Sequence, residues 1–378
     1  MEKTAHGKLI VYKDKIFNFI EIFNPVTGLL IRGDINNKKN NTPTQRSFPE
    51  LIDIGIMGSC HISNLNICNK AGIDCYQNAI NSNKKNIALE DYKLIINQCK
   101  NKVFQVALGG AGDPNKHENF KEILQLTRKE GIVPNLTTSG MFLTDDEIFN
   151  IKKYCGAVAV SFYSRLKQIE CGNFIETNPE TISAINRFVN YECITNIHYV
   201  ISIDTIKEAI FRLKNKSFPE GINAVIFILY KPTGLGTHEK TIDLNNEYLL
   251  EFFELIQKNN YPFKIGFDTC FTPAILKECK SVSSESLDFC EAARFSMYID
   301  SELNAYPCSF DCDKQEYREN LKNKTILSVW NSETFHNFKN KQESSCLACE
   351  KKKLCLGGCV LDFSVNVCGE KKDAVNRI

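Results

Sequence analysis

The sequence predicts an α/β fold: a partial (β/α)6 barrel of the TIM type, followed by a cysteine-rich C-terminal domain. Three observations carry this. Near-continuous apolar runs of strand length alternate with helical stretches from residue 51 onward, that rhythm stops after Phe267, and the chain holds seventeen cysteines. Strands that are apolar throughout, rather than on one side, belong to a parallel sheet covered on both faces.

Residues 8–32 alternate apolar and polar in short stretches split by Asn24-Pro25 and Gly28, the pattern of a small antiparallel meander. Residues 33–48 (DINNKKNNTPTQRSFP) are polar and turn-rich and read as a linker. The strand-length runs are then LIDIGIM (51–57), VFQVAL (103–108), IVPNLTT (132–138), AVAVSF (157–162), TNIHYVIS (195–202) and INAVIFIL (222–229). Helical stretches near 88–100, 117–130, 144–154, 178–191, 204–214 and 246–259 separate and follow them. Six units are too few to close an eight-fold barrel. In such folds the chemistry sits at the C-terminal ends of the strands. Beyond 267 only one helix (325–339) and one hairpin (295–308) are predicted. A segment with so little apolar periodicity needs a staple, which metal can supply. The expected domains are 1–48, 49–267 and 268–378.

The formal net charge of +1 argues against a partner bound through phosphates. No run of eighteen apolar residues and no apolar signal core appears, so no membrane span is expected and the expected location is the cytoplasm. In a reducing compartment clustered thiols usually mean metal.

Two cysteine constellations stand out. Cys60, Cys68 and Cys75 fall within sixteen residues on the loop after the first barrel strand. Three thiolates can hold three irons of a [4Fe–4S] cube and leave the fourth open. A zinc site is the competing reading, with His61 as a possible fourth ligand. The second strand ends in ALGGAGDP, where Gly109, Gly110 and Gly112 expose backbone and Asp113-Pro114 sets a turn. The other constellation is C-terminal: Cys346, Cys349, Cys355 and Cys359 at C-x2-C-x5-C-x3-C spacing, then Cys368, with Cys290 and Cys308 upstream. Two zinc-ribbon sites would also suit the paired spacing.

The cysteine loop and the glycine-rich strand end resemble the radical S-adenosylmethionine superfamily. Its GGE-P motif matches Gly109, Gly110 and Pro114, with one inserted residue and Asp113 in the acidic place; LTTSGMF at the third strand is also similar. The usual C-x3-C-x2-C spacing is here C-x7-C-x6-C, and Asp74 replaces the aromatic before the third cysteine. The C-terminal segment, about 285–370, resembles the SPASM extension of peptide-modifying radical enzymes, an auxiliary-cluster domain.

The resemblance implies S-adenosylmethionine and [4Fe–4S] clusters as cofactors, one catalytic on Cys60, Cys68 and Cys75, and one or two auxiliary. One auxiliary set would be Cys346, Cys349, Cys355 and Cys368. The other would be Cys290, Cys308 and Cys359, with Cys270 as first choice for the fourth ligand and Cys279 or Cys312 as alternatives. Gly109, Gly110, Gly112, Asp113, Ser139 and Ser161 would contact the cofactor. The implied partners are a peptide substrate, ribosomally made, and an electron donor such as flavodoxin or ferredoxin. The implied reaction is hydrogen abstraction that leads to a thioether or carbon crosslink; a sulfatase-maturing oxidase and a non-catalytic zinc adaptor are the alternatives. No catalytic residue is assigned. His198 reads as a satisfied core histidine. Tyr230, Lys231 and Thr233 are candidates to face substrate, Asp268 is a guess for a base, and Cys99, Cys155, Cys171 and Cys193 read as ordinary thiols.

Overall fold

Alternation builds the first sheet. In the strands β1 (Glu2–His6), β2 (Leu9–Asp14), β3 (Phe19–Phe23) and β4 (Leu30–Asp34) neighbours pair antiparallel in chain order. Tyr12 and Phe23 are fully buried against Phe104 and Val133. This computed structural model describes residues 2–6, 9–35, 43–169, 174–258, 260–280, 282–341 and 343–368.

The main sheet starts at β5 (Leu51–Met57) and continues through β6 (Gln105–Gly110), β7 (Val133–Thr138) and β8 (Val158–Ser161). A small hairpin, β9 (Leu166–Gln168) and β10 (Phe174–Glu176), interrupts it. The sheet resumes with β11 (Thr195–Ile201), β12 (Ala224–Leu229) and β13 (Lys264–Phe267), then β14 (Ser296–Ile299), β15 (Asn304–Tyr306) and β16 (Glu319–Asn320). Its order is β13-β12-β11-β8-β7-β6-β5-β14-β15-β16, an open sheet that is parallel from β13 to β14.

The sequence pattern counted six of these strands. Four-residue β13 at the edge is too short to register as an apolar run. More consequentially, β14 pairs parallel with β5, Ser296 opposite Leu51 through Ile299 opposite Ile54. The C-terminal segment thus extends the main sheet. The predicted helix at 325–339 is in fact two, Ile326–Trp330 and Glu333–Asn340. The Ser332 hydroxyl accepts the Phe335 N–H at 3.3 Å and starts the second helix as an N-cap. The linker also differs from expectation at its end, where Arg46, Ser47 and Phe48 are buried. The Arg46 guanidinium meets Glu21 Oε2 at 2.8 Å, donates to the carbonyls of Phe48, Pro49 and Lys102, and lies 3.6 Å over the Tyr12 ring.

Period-two alternation sorts the two faces of β5. Ile52, Ile54 and Ile56 are 0% exposed and pack into the main core beneath the helices. Asp53, Gly55 and Met57 take the other face. In register with Asp53 stands Ala107 on β6, and Thr137 on β7 lies opposite Ala159 on β8. These side chains are short, so this face leaves a cavity of about 460 Å³ at the C-terminal ends of the strands. No helix among the described residues is long and apolar enough to cross a membrane.

Candidate active site

The loop after β5 brings Cys60, Cys68 and Cys75 onto one wall of this cavity, facing Gly109–Asp113 from the end of β6. Burial pushes the Cys68 thiol up to about 12, and the neighbouring Cys75 and Cys60 add to it against a hydrogen bond with Tyr163. Burial likewise raises Cys60, with Cys75 and Asp113 adding to it. Three sulfurs that repel one another's charge suit a cation, which would hold them as thiolates. The widened spacing is braced from outside the loop. Asp74 accepts from the Tyr230 hydroxyl at 2.7 Å and from Lys240 at 3.0 Å, and Leu235 N–H donates to the Cys75 carbonyl at 3.0 Å. The acidic residue that stands in place of an aromatic is therefore an anchor for the third cysteine.

Gly112 permits the close approach of the two loops, since a Cβ there would lie 2.5 Å from the Ser59 carbonyl. A Cβ on Gly109 would meet nothing within 4 Å, so its backbone faces open cavity. Asp113 is buried and spent on the next strand end, accepting from Ser139 N–H at 2.7 Å and Ser139 Oγ at 2.5 Å. Burial pushes its carboxyl up while those bonds, His61 at 3.7 Å and Thr138 oppose the shift. Asp113 and Ser139 hold β6 and β7 together around the cavity.

Ser161 and His198 face each other in register on β8 and β11 and both line the cavity. His198 is thus a cavity residue rather than a satisfied core histidine, with burial lowering it to about 4. Asp53, which the sequence reading passed over, also lines the cavity, and burial alone raises it to about 7. An acid inside the run LIDIGIM was the available signal. Lys231 closes one side through a 2.6 Å ion pair with Asp268. Asp268 is thereby committed to a cation, and Tyr230 to Asp74.

Eight of the remaining thiols form two groups. Cys270 is hydrogen-bonded to Cys359, and this, then burial, raises it well above the thiol range. Cys290 senses Cys270, Cys308 senses Cys290 and Cys270, and Cys359 senses Cys290 and Cys308. Cys270 thus lies with Cys290, Cys308 and Cys359. Cys279 packs into the main core, and burial raises Cys312 with Asp300, Cys308 and Asp311 adding to it. In the second group Cys355 senses Cys346 and Cys349, and Cys368 senses all three. Cys99 is buried and Cys155 and Cys193 neighbour each other, away from all three groups; Cys171 lies outside the described residues. Among the described residues no three His, Cys, Asp or Glu side chains come close enough to share one metal ion. Thiols gathered at wider spacing suit a four-iron cube, in which each thiolate takes a different iron.

Residues 290–350 match the family model described as SPASM, an iron–sulfur cluster-binding domain. The whole chain is similar in fold to SuiB of Streptococcus suis. That structure, solved alone and bound to S-adenosylmethionine, is 17% identical with a TM-score of 0.67, over 94% of this chain and 95% of that one. SuiB bound to the precursor peptide SuiA gives 0.66 over 97% and 99%. Native anSMEcpe with bound AdoMet and the Cp18Cys peptide is 17% identical with a TM-score of 0.57, over 82% and 89%. In sequence, diaminopimelate epimerase of Buchnera aphidicola subsp. Baizongia pistaciae is 26% identical over 192 residues, 48% of this chain. The matched part spans 61% of that curated relative, under two thirds of its length, and shows no family at this identity. The structural likeness covers most of the chain and the SPASM match falls on its C-terminal part: this protein has the fold of SuiB and anSMEcpe, and its residues 290–350 are similar to the SPASM iron–sulfur cluster-binding domain.

Proposed function

We propose that this chain cleaves S-adenosylmethionine reductively and uses the radical to modify a peptide. The observation that carries the reading is the meeting of three thiols, Cys60, Cys68 and Cys75, with the open Gly109 backbone on one cavity at the strand ends. When bound, a reduced [4Fe–4S] cluster and S-adenosylmethionine supply a 5′-deoxyadenosyl radical that takes hydrogen from an unactivated carbon. The protein's share is positional. The three thiols hold one cube, Gly109–Gly110 leave room for the cofactor's polar end, Ser161 faces its ribose or carboxylate, and the walls of a partial barrel keep other hydrogen donors away. The two thiol quartets would hold auxiliary clusters, which would supply a one-electron acceptor for an oxidised substrate such as a thioether or carbon crosslink. SuiB and anSMEcpe, each solved with a peptide, support a peptide substrate. A flavodoxin or ferredoxin would reduce the catalytic cluster. This reading divides the chain at residues 48 and 267.

Anaerobic reconstitution tests it. We expect about twelve irons per chain, from three four-iron cubes, and 5′-deoxyadenosine on addition of dithionite and S-adenosylmethionine. Simultaneous change of Cys60, Cys68 and Cys75 to Ala should remove about four irons and all 5′-deoxyadenosine. A triple variant that still cleaves the cofactor refutes the assignment.

A further inference from the structure

Between the cavity and the quartet Cys270, Cys290, Cys308 and Cys359 stands one buried cation. Lys231 follows β12 by two residues and is 7% exposed. Its ammonium meets Asp268 Oδ2 at 2.6 Å, donates to the Leu229 carbonyl at 2.9 Å, and sits 4.4 Å from the Phe310 ring centroid. Lys231 and Cys359 line one small pocket together with Phe310, and the ammonium opposes the rise of the Cys270 thiol. Asp268 lies two residues before Cys270 and is fixed to the same strand, accepting the Leu229 N–H at 3.2 Å. Phe310, two residues after Cys308, packs on Tyr76, next to Cys75, with ring centroids 4.8 Å apart. One aromatic contact therefore joins the loops of the two thiol groups, and Lys231 lies against it.

We propose that the Lys231–Asp268 ion pair sets the reduction potential of the cluster held by Cys270, Cys290, Cys308 and Cys359. This rests on the reading of those thiols as cluster ligands. One-electron reduction adds a negative charge to the cluster. In a low-dielectric interior a fixed cation beside the sulfurs favours that reduced state, and a fixed carboxylate opposes it. Arg294 and Glu291 act on the far side, at Cys290. Lys231 and Asp268 both also line the cavity, where an electron would leave the substrate. Lys231 is a positioning residue for charge, with no part in holding iron.

The pair makes the test one of sign. In the anaerobically reconstituted full chain, a redox titration followed by electron paramagnetic resonance gives each cluster's midpoint. The relevant signal is the one that Cys290→Ala abolishes with the loss of about four irons. Lys231→Gln leaves the carboxylate alone and should shift that midpoint downward. Asp268→Asn leaves the ammonium alone and should shift it upward. Each change should be at least tenfold in the reduction equilibrium, about 59 mV for one electron. Lys231→Arg keeps the cation and should restore the parent value, and the other midpoints should not move. Shifts of the same sign, or none, overturn the proposal, as does loss of the cluster in Lys231→Gln. Unchanged iron in Cys290→Ala overturns the ligand reading and the tuning together.

Discussion

Asp53 shows how a single residue can be costly to the fold and useful to the site. Its side chain enters the cavity from β5, and no hydrogen bond or ion pair meets it among the described residues. Burial alone raises its carboxyl to about 7. The unfolded chain would ionise it at an ordinary carboxylate value, so the folded state binds the proton more tightly. Its relative contribution is therefore most favourable at low pH and is lost as pH rises toward 7. Replacement by Asn removes that loss. We expect Asp53→Asn to raise the midpoint of thermal unfolding at pH 8, by at most about 4 kcal/mol in stability, and to have little effect at pH 4. Differential scanning calorimetry at the two values checks it; a gap that widens on acidification would contradict the assignment. The neighbourhood of Asp53 was closed to sequence reading, because only β14 crossing back beside β5 places Tyr298 opposite it. The thiols were more legible. Spacing grouped them and already put Cys270 ahead of Cys279 and Cys312, and the hydrogen bond between Cys270 and Cys359 agrees with that order.

Among the elements, the strands were read well because their apolar runs are of strand length and alternate with helical stretches, the rhythm of a covered parallel sheet. β13 escaped the count of apolar runs because it is short, and the hairpin of β14 and β15 was expected without its pairing to β5, a place gained from a partner. The loop after β12 also gains its place from a partner. Gly234 has φ +65°, and a Cβ there would stand 2.4 Å from the Tyr76 carbonyl and 2.5 Å from that of Cys75. Both atoms are backbone of the cysteine loop, so the clash is relieved only by moving that loop. Gly234→Ala should then cost about 1–3 kcal/mol through left-handed strain and displacement together. It should also weaken the hold on Cys75, so reconstituted protein should carry fewer irons than the parent while its far-ultraviolet circular dichroism is preserved. Gly28 also has positive φ, +75°, but a Cβ there would meet nothing within 4 Å. Gly28→Ala is the control, and equal iron loss in both would show that strain alone, rather than the contact with Cys75, is responsible.

At the scale of the molecule, the sheet makes the cavity and the C-terminal segment interdependent. Sequence rhythm placed a boundary near residue 267, because periodicity ends there. Hydrogen bonding crosses it: β14 caps the open edge of β5, Tyr298 from β14 lines the cavity, and the Trp330 indole donates to the Arg46 carbonyl at 2.9 Å. Arg46 in turn ties the N-terminal sheet to the segments that lead into β5 and β6 through its bonds to Glu21, Phe48 and Lys102. A chain ended at residue 267 would expose the β5 edge, an apolar strand with unpaired backbone groups, and would open the cavity wall. We expect that truncation to aggregate and to make no 5′-deoxyadenosine. Cys349→Ala is the contrasting lesion. It removes one exposed sulfur from the outer quartet and leaves β14 and the Arg46 contacts in place. That variant should stay soluble, lose about four irons and still cleave S-adenosylmethionine, with peptide product reduced. Size-exclusion chromatography and 5′-deoxyadenosine assays on the two proteins decide the matter. A soluble, active 1–267 fragment would show that the parallel sheet stands without its C-terminal strands, and that β14 contributes to neither the edge nor the site.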